Sequence, residues 1–219
     1  MNKALPPLIK PDWPAPPHVQ AVQTTRIGGV STGHYDSLNF GDHVHDNPIH
    51  VVQNRQLLSD VVPTEPVWLK QVHGTRVVDA AHSSCLEQAD ASFTTRSNVV
   101  CVTLTADCLP ILLCDQAGSV VASVHAGWRS LCEGVIEKTV AAMGVDQKKL
   151  MAWLGPAIGP NAFEVGAEVR DAFIQADEQA EMAFEKQGDK WLGYLYLIAK
   201  KRLNTLGITH IYGEVMCTY

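Results

Sequence analysis

The sequence predicts an α+β fold with a mixed β-sheet and a single hydrophobic core. Strand-like and helix-like segments are mixed along the chain, without the strict alternation that produces a fully parallel sheet. Of the 219 residues, 46% are hydrophobic, which is enough to bury a substantial core. Neither an internal repeat nor a low-complexity linker divides the chain. We therefore expect a single domain over residues 1–219.

The N-terminal part of the chain is predicted to contain a strand, a loop and a short helix. Residues 19–25 alternate weakly and predict a strand, which runs into the turn signal Arg26–Gly29. Residues 36–48 are polar and predict a loop. Residues 49–59 predict a short helix that is closed off by the prolines that follow it.

The middle of the chain is predicted to supply most of the strands. Four short apolar runs, three of them rich in β-branched residues, are bounded by turn or breaker residues, and they cover residues 67–72, 99–105, 111–114 and 120–124. Three of these runs lead into a potential metal ligand, namely His73, Cys108 and His125. Strand ends often present side chains to a ligand, because backbone pairing stops there while the scaffold stays rigid.

The C-terminal half is predicted to be mainly helical. The predicted elements are a helix over 130–143, a strand over 150–154, a helix over 164–175, a helix over 190–206 and a last strand over 208–215. The most regular of these is the helix over 190–206, which carries one apolar stripe. Asp189 can cap its start and Gly207 can end it, and Gly144 can end the first helix.

Charge and composition exclude several classes of function. The formal net charge is -6 and no basic run occurs, so nucleic acid is not expected as a partner. No apolar run is long enough to cross a bilayer, and the proline-rich N-terminus does not have the pattern of a signal peptide. The six cysteines form no C-x-x-C pair and are expected to be reduced thiols, which favours a cytoplasmic location.

His73, Cys108 and His125 form the candidate metal centre. One thiolate and two imidazoles are a natural donor set for zinc and a plausible one for copper. Three protein ligands leave a fourth position open, which is typical of catalytic zinc. The residues alone leave three alternatives: the three side chains are ordinary core and surface residues, Cys108 and His125 are a metal-free nucleophile and base, or the protein is a non-enzymatic binding module.

Arg129 is the candidate anion-binding residue. It follows His125 after a short turn and directly precedes the helix predicted from Ser130. A helix N-terminus favours anions, and a guanidinium is a forked donor suited to phosphate. The alternative is that Arg129 pairs with a surface carboxylate while Trp128 fills the core.

Five sequence blocks stand out along the chain: Thr24–Ser31, Trp68–Gly74, Ala106–Pro110, His125–Arg129 and Gly155–Pro160. Together they resemble the laccase-domain family, which was first labelled multicopper polyphenol oxidase. Members are now associated with purine nucleoside phosphorylase and adenosine deaminase activity and have also been called peptidoglycan editing factors. The match runs in order over nearly the whole chain.

The resemblance implies both a fold and an activity. It implies mixed sheets that are sandwiched and flanked by helices. It implies phosphorolysis of adenosine, inosine and methylthioadenosine, together with deamination of adenosine, so the expected partners are purine nucleosides and phosphate. The resemblance also implies that His73, Cys108 and His125 bind zinc and take part in catalysis. Phosphate could be held by Arg129 or by Arg26. The older oxidase label fits poorly, since we find ligands for one metal only.

Three positions depart from the family pattern. Ser130 and His45 stand where glycine is usual, so an additional histidine lies in a loop that could approach the site. The family normally continues beyond Cys217–Thr218 with a segment rich in aromatic residues and arginine, whereas this sequence stops at Tyr219. We therefore expect that a C-terminal tail is missing from the domain.

Overall fold

A mixed six-stranded sheet is the centre of the fold. The computed structural model describes residues 7–213 and 215–219. The strands are β1 (Leu8–Ile9), β2 (Gln23–Thr24), β3 (Leu69–Lys70), β4 (Val77–Asp79), β5 (Glu87–Gln88), β6 (Ala91–Thr94), β7 (Leu109–Asp115), β8 (Val121–Ala126), β9 (Leu150–Leu154), β10 (Glu164–Val165), β11 (Phe184–Gln187), β12 (Lys190–Gly193) and β13 (His210–Tyr212). The helices are α1 (Pro48–Gln56), α2 (Trp128–Cys132), α3 (Val135–Met143), α4 (Ala167–Ala176) and α5 (Leu195–Thr205).

The central sheet has the strand order β13-β9-β7-β8-β6-β4. Its middle strands are antiparallel, whereas the edge pairs β13–β9 and β4–β6 are parallel. Smaller sheets are formed by β1 with β2, by β3 with β5, and by β10, β12 and β11. The predicted α+β fold with a mixed sheet is therefore confirmed.

The main hydrophobic core lies between this sheet and its helices. All five residues of β9 are buried, and so are six of the seven residues of β7. Side chains of α3 and α5 complete the core, among them Val135, Ile136, Tyr196 and Leu203. Burial on both faces explains why these strands are continuous apolar runs rather than alternating ones.

Several predicted elements are confirmed. The strand over 150–154 is β9 without change, the run over 111–114 lies within β7, and the run over 120–124 overlaps β8 from residue 121 onward. The helix over 49–59 is α1 followed by a turn of 3-10 helix, Leu57–Asp60. Gly144 caps α3 with a φ of 66°. Of the strand over 19–25, only β2 pairs in a sheet.

The helix predicted over 130–143 is two helices. Gly134 separates α2 from α3, and its φ of 92° lies in the left-handed region, which a right-handed helix cannot accommodate. The prediction of one continuous helix was wrong because both sides of the break keep an apolar pattern. The break leaves α2 only five residues long.

The predicted helix over 190–206 was wrong at its start. Residues 190–193 form β12, which pairs with β11 in a hairpin whose turn contains Gly188 at a φ of 59°. Asp189 lies in this turn and does not cap a helix. The rest of the segment is α5, which ends just before Gly207. Likewise, the predicted helix over 164–175 begins with strand β10, and α4 starts two residues after it.

The strand predicted over 99–105 forms no sheet ladder. Cys101 makes one isolated bridge to Val67. Leu104 is instead paired by a side chain: its N–H donates to Gln71 Oε1 at 2.7 Å, and its carbonyl accepts from Gln71 Nε2 at 2.8 Å. The amide group of Gln71 thus replaces a neighbouring strand, which an apolar pattern cannot reveal.

Two other predicted strands are shorter than expected. Of residues 67–72, only Leu69–Lys70 pair as β3. The last predicted strand, over 208–215, is β13, and residue 214 within it lies outside the described residues. No helix in the described part of the chain is long and apolar enough to cross a membrane.

Candidate metal centre

His73, Cys108 and His125 lie together at one end of the central sheet. One potential ligand atom from each lies within 4.8 Å of the other two. Cys108 Sγ is 3.8 Å from His73 Nε2, and the two imidazole rings meet edge to face with their centroids 4.7 Å apart. Side chains that are far apart in the sequence therefore form one cluster, which we call the His–Cys–His group.

His125 is the buried member of the group. It lies inside β8 opposite Pro110, rather than just after the strand as the sequence suggested, and it is 3% exposed. Its Nδ1 is 2.8 Å from Asp90 Oδ1. Because a carboxylate can only accept hydrogen bonds, Nδ1 carries the proton, and Nε2 is left as the potential ligand atom.

His73 is the exposed member. It lies in a bend after β3 with a φ of 59°, in the left-handed region that only a few per cent of non-glycine residues adopt. Its backbone N–H donates to Asp90 Oδ1 at 2.9 Å, and the N–H of Gly74 donates to Asp90 Oδ2 at 2.7 Å. Polar contacts rather than apolar packing therefore fix its position.

Cys108 directly precedes β7 and is half-buried. Gly127 lies against it from β8: a Cβ atom at Gly127 would be 3.0 Å from Cys108 Sγ and 2.8 Å from His73 Cδ2. A glycine is thus needed where the chain leaves β8, because any side chain would push two of the three ligands.

The loop before Cys108 is held by two other segments. Thr218 Oγ1 donates to Asp107 Oδ1 at 2.7 Å, and the N–H of Ile158 donates to the Asp107 carbonyl at 2.9 Å. The Gly155–Pro160 loop, singled out in the sequence, and the C-terminal residues therefore both contact the residue that precedes Cys108.

The electrostatics of the two histidines differ. Burial is the largest cause that lowers the pKa of His73, and the nearby His125 and Arg129 lower it further. Burial would also lower the pKa of His125, but its hydrogen bonds with Asp90 and Cys108 outweigh burial and raise the pKa to about 9. Burial would raise the pKa of Asp90, but hydrogen bonds from His125, Gly74 and Val72 outweigh burial and lower it.

The candidate phosphate-binding residues occupy different places. Arg129 is exposed, lies two residues after Gly127, and has its guanidinium 4.4 Å from the centroid of the Trp128 ring. Arg26 is also exposed, and its Nε donates to the Asp36 carbonyl at 2.8 Å. None of the described contacts joins Arg26 to the His–Cys–His group.

Two features of the site escaped the sequence analysis. Burial, His125 and Arg129 are the main causes that lower the pKa of His73, and His43, from the loop that carries His45, contributes the least of the causes. Asp90, which binds both histidines, was not singled out. The only signal in the sequence was an acidic residue flanked by Ala89 and Ala91, and the structure shows that it is buried, where acids are rare unless they are paired.

The fold and the site together define a class: α+β proteins with one candidate His–Cys–His metal centre. The family model described as "Multi-copper polyphenol oxidoreductase laccase" matches residues 20–219. The chain belongs to this laccase-domain family, as its sequence blocks indicated.

Named relatives and a solved structure agree with this assignment. A Shigella flexneri protein named purine nucleoside phosphorylase YfiH is 51% identical, over 97% of this chain and 88% of its own. The Pseudomonas aeruginosa purine nucleoside phosphorylase PA4543 is 49% identical, over 96% of this chain and 88% of its own. The crystal structure of Neisseria meningitidis protein NMB0706 superposes with a TM-score of 0.94 at 46% identity, covering 96% of this chain and 88% of that one.

Proposed function

We propose that this protein is a zinc-dependent purine nucleoside phosphorylase that also deaminates adenosine. The observation that carries the proposal is the His–Cys–His group in a chain about 50% identical, over nearly its whole length, to proteins named purine nucleoside phosphorylase. Adenosine, inosine and methylthioadenosine are the proposed nucleosides, with phosphate as co-substrate. His73, Cys108 and His125 are proposed as both metal ligands and catalytic residues.

The donor set fits a zinc ion. Tetrahedral zinc with Zn–N near 2.0 Å and Zn–S near 2.3 Å has ligand atoms about 3.3–3.6 Å apart. The separation of 3.8 Å between Cys108 Sγ and His73 Nε2 needs only a small adjustment. Zinc bound by three protein ligands keeps a fourth position open and supplies Lewis-acid chemistry there. Copper is the second candidate metal, because the same imidazole and thiolate donors can also bind copper.

The protein's own residues would orient the substrates. Phosphorolysis transfers the ribosyl group from the purine to phosphate, so the site must hold an anion beside the nucleoside. Arg129 is the better placed arginine, because it follows Gly127 closely and its charge acts on His73. Since α2 is only five residues long, the guanidinium rather than a helix dipole must supply most of the attraction. Arg26 is the second candidate.

Two alternative functions have specific support. Cys108 Sγ lies within 4.8 Å of a ring nitrogen of His125 and helps to raise the pKa of that histidine, as a nucleophile beside its base would in a metal-free hydrolase. The family description supports a polyphenol oxidase. Against the oxidase, the His–Cys–His group is the one cluster of three or more potential metal ligands within residues 7–213 and 215–219, and one cluster holds one metal.

A cytoplasmic location is part of the proposal. All six cysteines are unpaired, as expected for a protein kept in a reducing compartment. The single-domain organisation over residues 1–219 is proposed on the same footing, because the main core draws on elements from β4 to β13.

The test is metal analysis of the purified protein, followed by product analysis with adenosine in the presence and absence of phosphate. We expect close to one zinc per chain, adenine and ribose 1-phosphate with phosphate, and inosine without it. Two or more tightly bound copper ions per chain would support the oxidase instead. Activity that survives thorough chelation would support the metal-free hydrolase, and the absence of nucleoside products under every condition would support a binding module.

A further inference from the structure

We propose that Asp90 is a positioning residue that holds both histidines of the metal centre and thereby sets the affinity for zinc. This inference rests on the proposed function, because it concerns how the chain prepares the site for the metal. Asp90 lies between β5 and β6 and is 1% exposed. A buried carboxylate needs compensating donors, and Asp90 finds all of its donors at the two histidines and their neighbours.

The two carboxylate oxygens of Asp90 divide four hydrogen bonds between them. Oδ1 accepts from His125 Nδ1 at 2.8 Å and from the backbone N–H of His73 at 2.9 Å. Oδ2 accepts from the N–H of Gly74 at 2.7 Å and from that of Val72 at 3.2 Å. One oxygen atom therefore links the two histidine ligands directly.

The contact to His125 fixes the ring and the backbone together. The carbonyl of Asp90 also accepts the N–H of His125 at 2.7 Å. The ring thus cannot rotate without breaking a buried hydrogen bond, and its Nε2 stays directed toward Cys108. Partners of this kind orient a metal-binding histidine and fix its tautomer.

The contact to residues 72–74 fixes a strained bend. A non-glycine residue in the left-handed region is disfavoured, and His73 adopts a φ of 59°. Three successive backbone N–H groups that converge on one carboxylate form a concave anion site. The carboxylate of Asp90 compensates for the strain and keeps the exposed imidazole beside Cys108.

Asp90→Asn is the informative substitution. In either orientation, the amide of asparagine places its NH₂ group against two donors, so two of the four hydrogen bonds are lost while the volume is kept. We expect zinc affinity, measured by competition with a chromophoric chelator, to fall roughly 10- to 100-fold, as is usual when an outer-shell partner is lost.

Asp115→Asn is the matched control. Asp115 is 5% exposed and accepts from Ser119 N, Ser119 Oγ and Val120 N. It ends β7, whereas Cys108 precedes β7, so the two are roughly 20 Å apart. We expect this variant to lose stability but to bind zinc within about threefold of wild type, given the usual spread of such measurements. Equal weakening in both variants would show a general loss of stability and overturn the proposal, as would unchanged zinc affinity in folded Asp90→Asn.

A measurement on the wild-type protein decides the matter if Asp90→Asn does not fold. Long-range ¹⁵N–¹H NMR of zinc-loaded protein with labelled histidine reports which ring nitrogen carries a proton, and the His125 signal is assigned by its absence in His125→Asn. We expect a proton on Nδ1 and metal on Nε2; metal on Nδ1 would overturn the proposal. Wild-type protein that binds no zinc would contradict the proposed function as well, whereas tight binding without the Asp90 effect contradicts this inference alone.

Discussion

The two histidines of the candidate metal centre are held in opposite ways. His125 lies near the end of β8, a central strand of the sheet, and is nearly fully buried, so folding of the core places it. His73 lies on an exposed bend with an unfavourable backbone conformation, held by hydrogen bonds to Asp90. The comparison teaches that packing of the hydrophobic core fixes the position of His125. The position of His73 depends on a few polar contacts, so a substitution should disturb it more easily.

The largest expected effect follows from removing the sulfur atom of Cys108, which lies close to both histidines. Cys108→Ser should abolish zinc retention and both activities, because serine is a poor zinc ligand at this donor set. Metal content by elemental analysis and product formation from adenosine are the measurements. Cys132→Ser, at a thiol that is also half-buried, should keep both properties. Activity of wild-type protein after complete chelation would contradict this expectation.

The second effect concerns the exposed half of the site, where Arg129 is proposed to bind phosphate. Arg129→Ala should reduce phosphorolysis roughly 10- to 100-fold, because charge-assisted hydrogen bonds contribute about 1.5–3 kcal/mol. Deamination, which needs no phosphate, should change less, and zinc content should stay the same. Both rates are measured across a phosphate series, with the exposed Arg96→Ala as the control. Equal losses in the two reactions would show that Arg129 does not bind phosphate.

The third effect tests the comparison directly through stability. In metal-free protein, His125→Ala should lower the free energy of unfolding by about 2 kcal/mol, because it opens the core and leaves Asp90 without its side-chain partner. His73→Ala should change it by less than about 0.5 kcal/mol, as surface substitutions usually do. Urea unfolding provides the values. If the two substitutions are equally destabilising, the distinction between a core half and an exposed half is wrong.

The fold was predictable where burial alone decides the structure. Strand β9 was predicted without error because its apolar residues are buried on both faces. Residues 190–193 were assigned to a helix because an apolar stripe continues into them, whereas the hairpin depends on Gly188 and on pairing with β11. Residues 99–105 look like a strand, but Gln71 takes the place of the neighbouring strand. Both errors arise from tertiary contacts that local patterns do not contain.

The clustering of the three candidate ligands was predictable at the level of donor chemistry. His73, Cys108 and His125 stood at predicted strand ends, and their residue types pointed to a metal. Asp90 was missed, because its role arises from contacts with residues 72–74 and with His125, which are distant in the sequence. A sequence reveals which side chains could bind a metal more readily than it reveals what holds them in place.

The smallest expected effect concerns the backbone of the exposed half. Glycine adopts the left-handed region as readily as the right-handed one, whereas alanine is penalised there. In metal-free protein, His73→Gly should therefore be more stable than His73→Ala by roughly 0.5–1 kcal/mol. The same pair of substitutions at Lys70, an exposed residue in β3, should show the reverse order, because glycine weakens a strand. The measurement is again urea unfolding. If glycine is no better than alanine at position 73, the bend is not left-handed without metal, and the hydrogen bonds to Asp90 do not hold His73 in place before zinc binds.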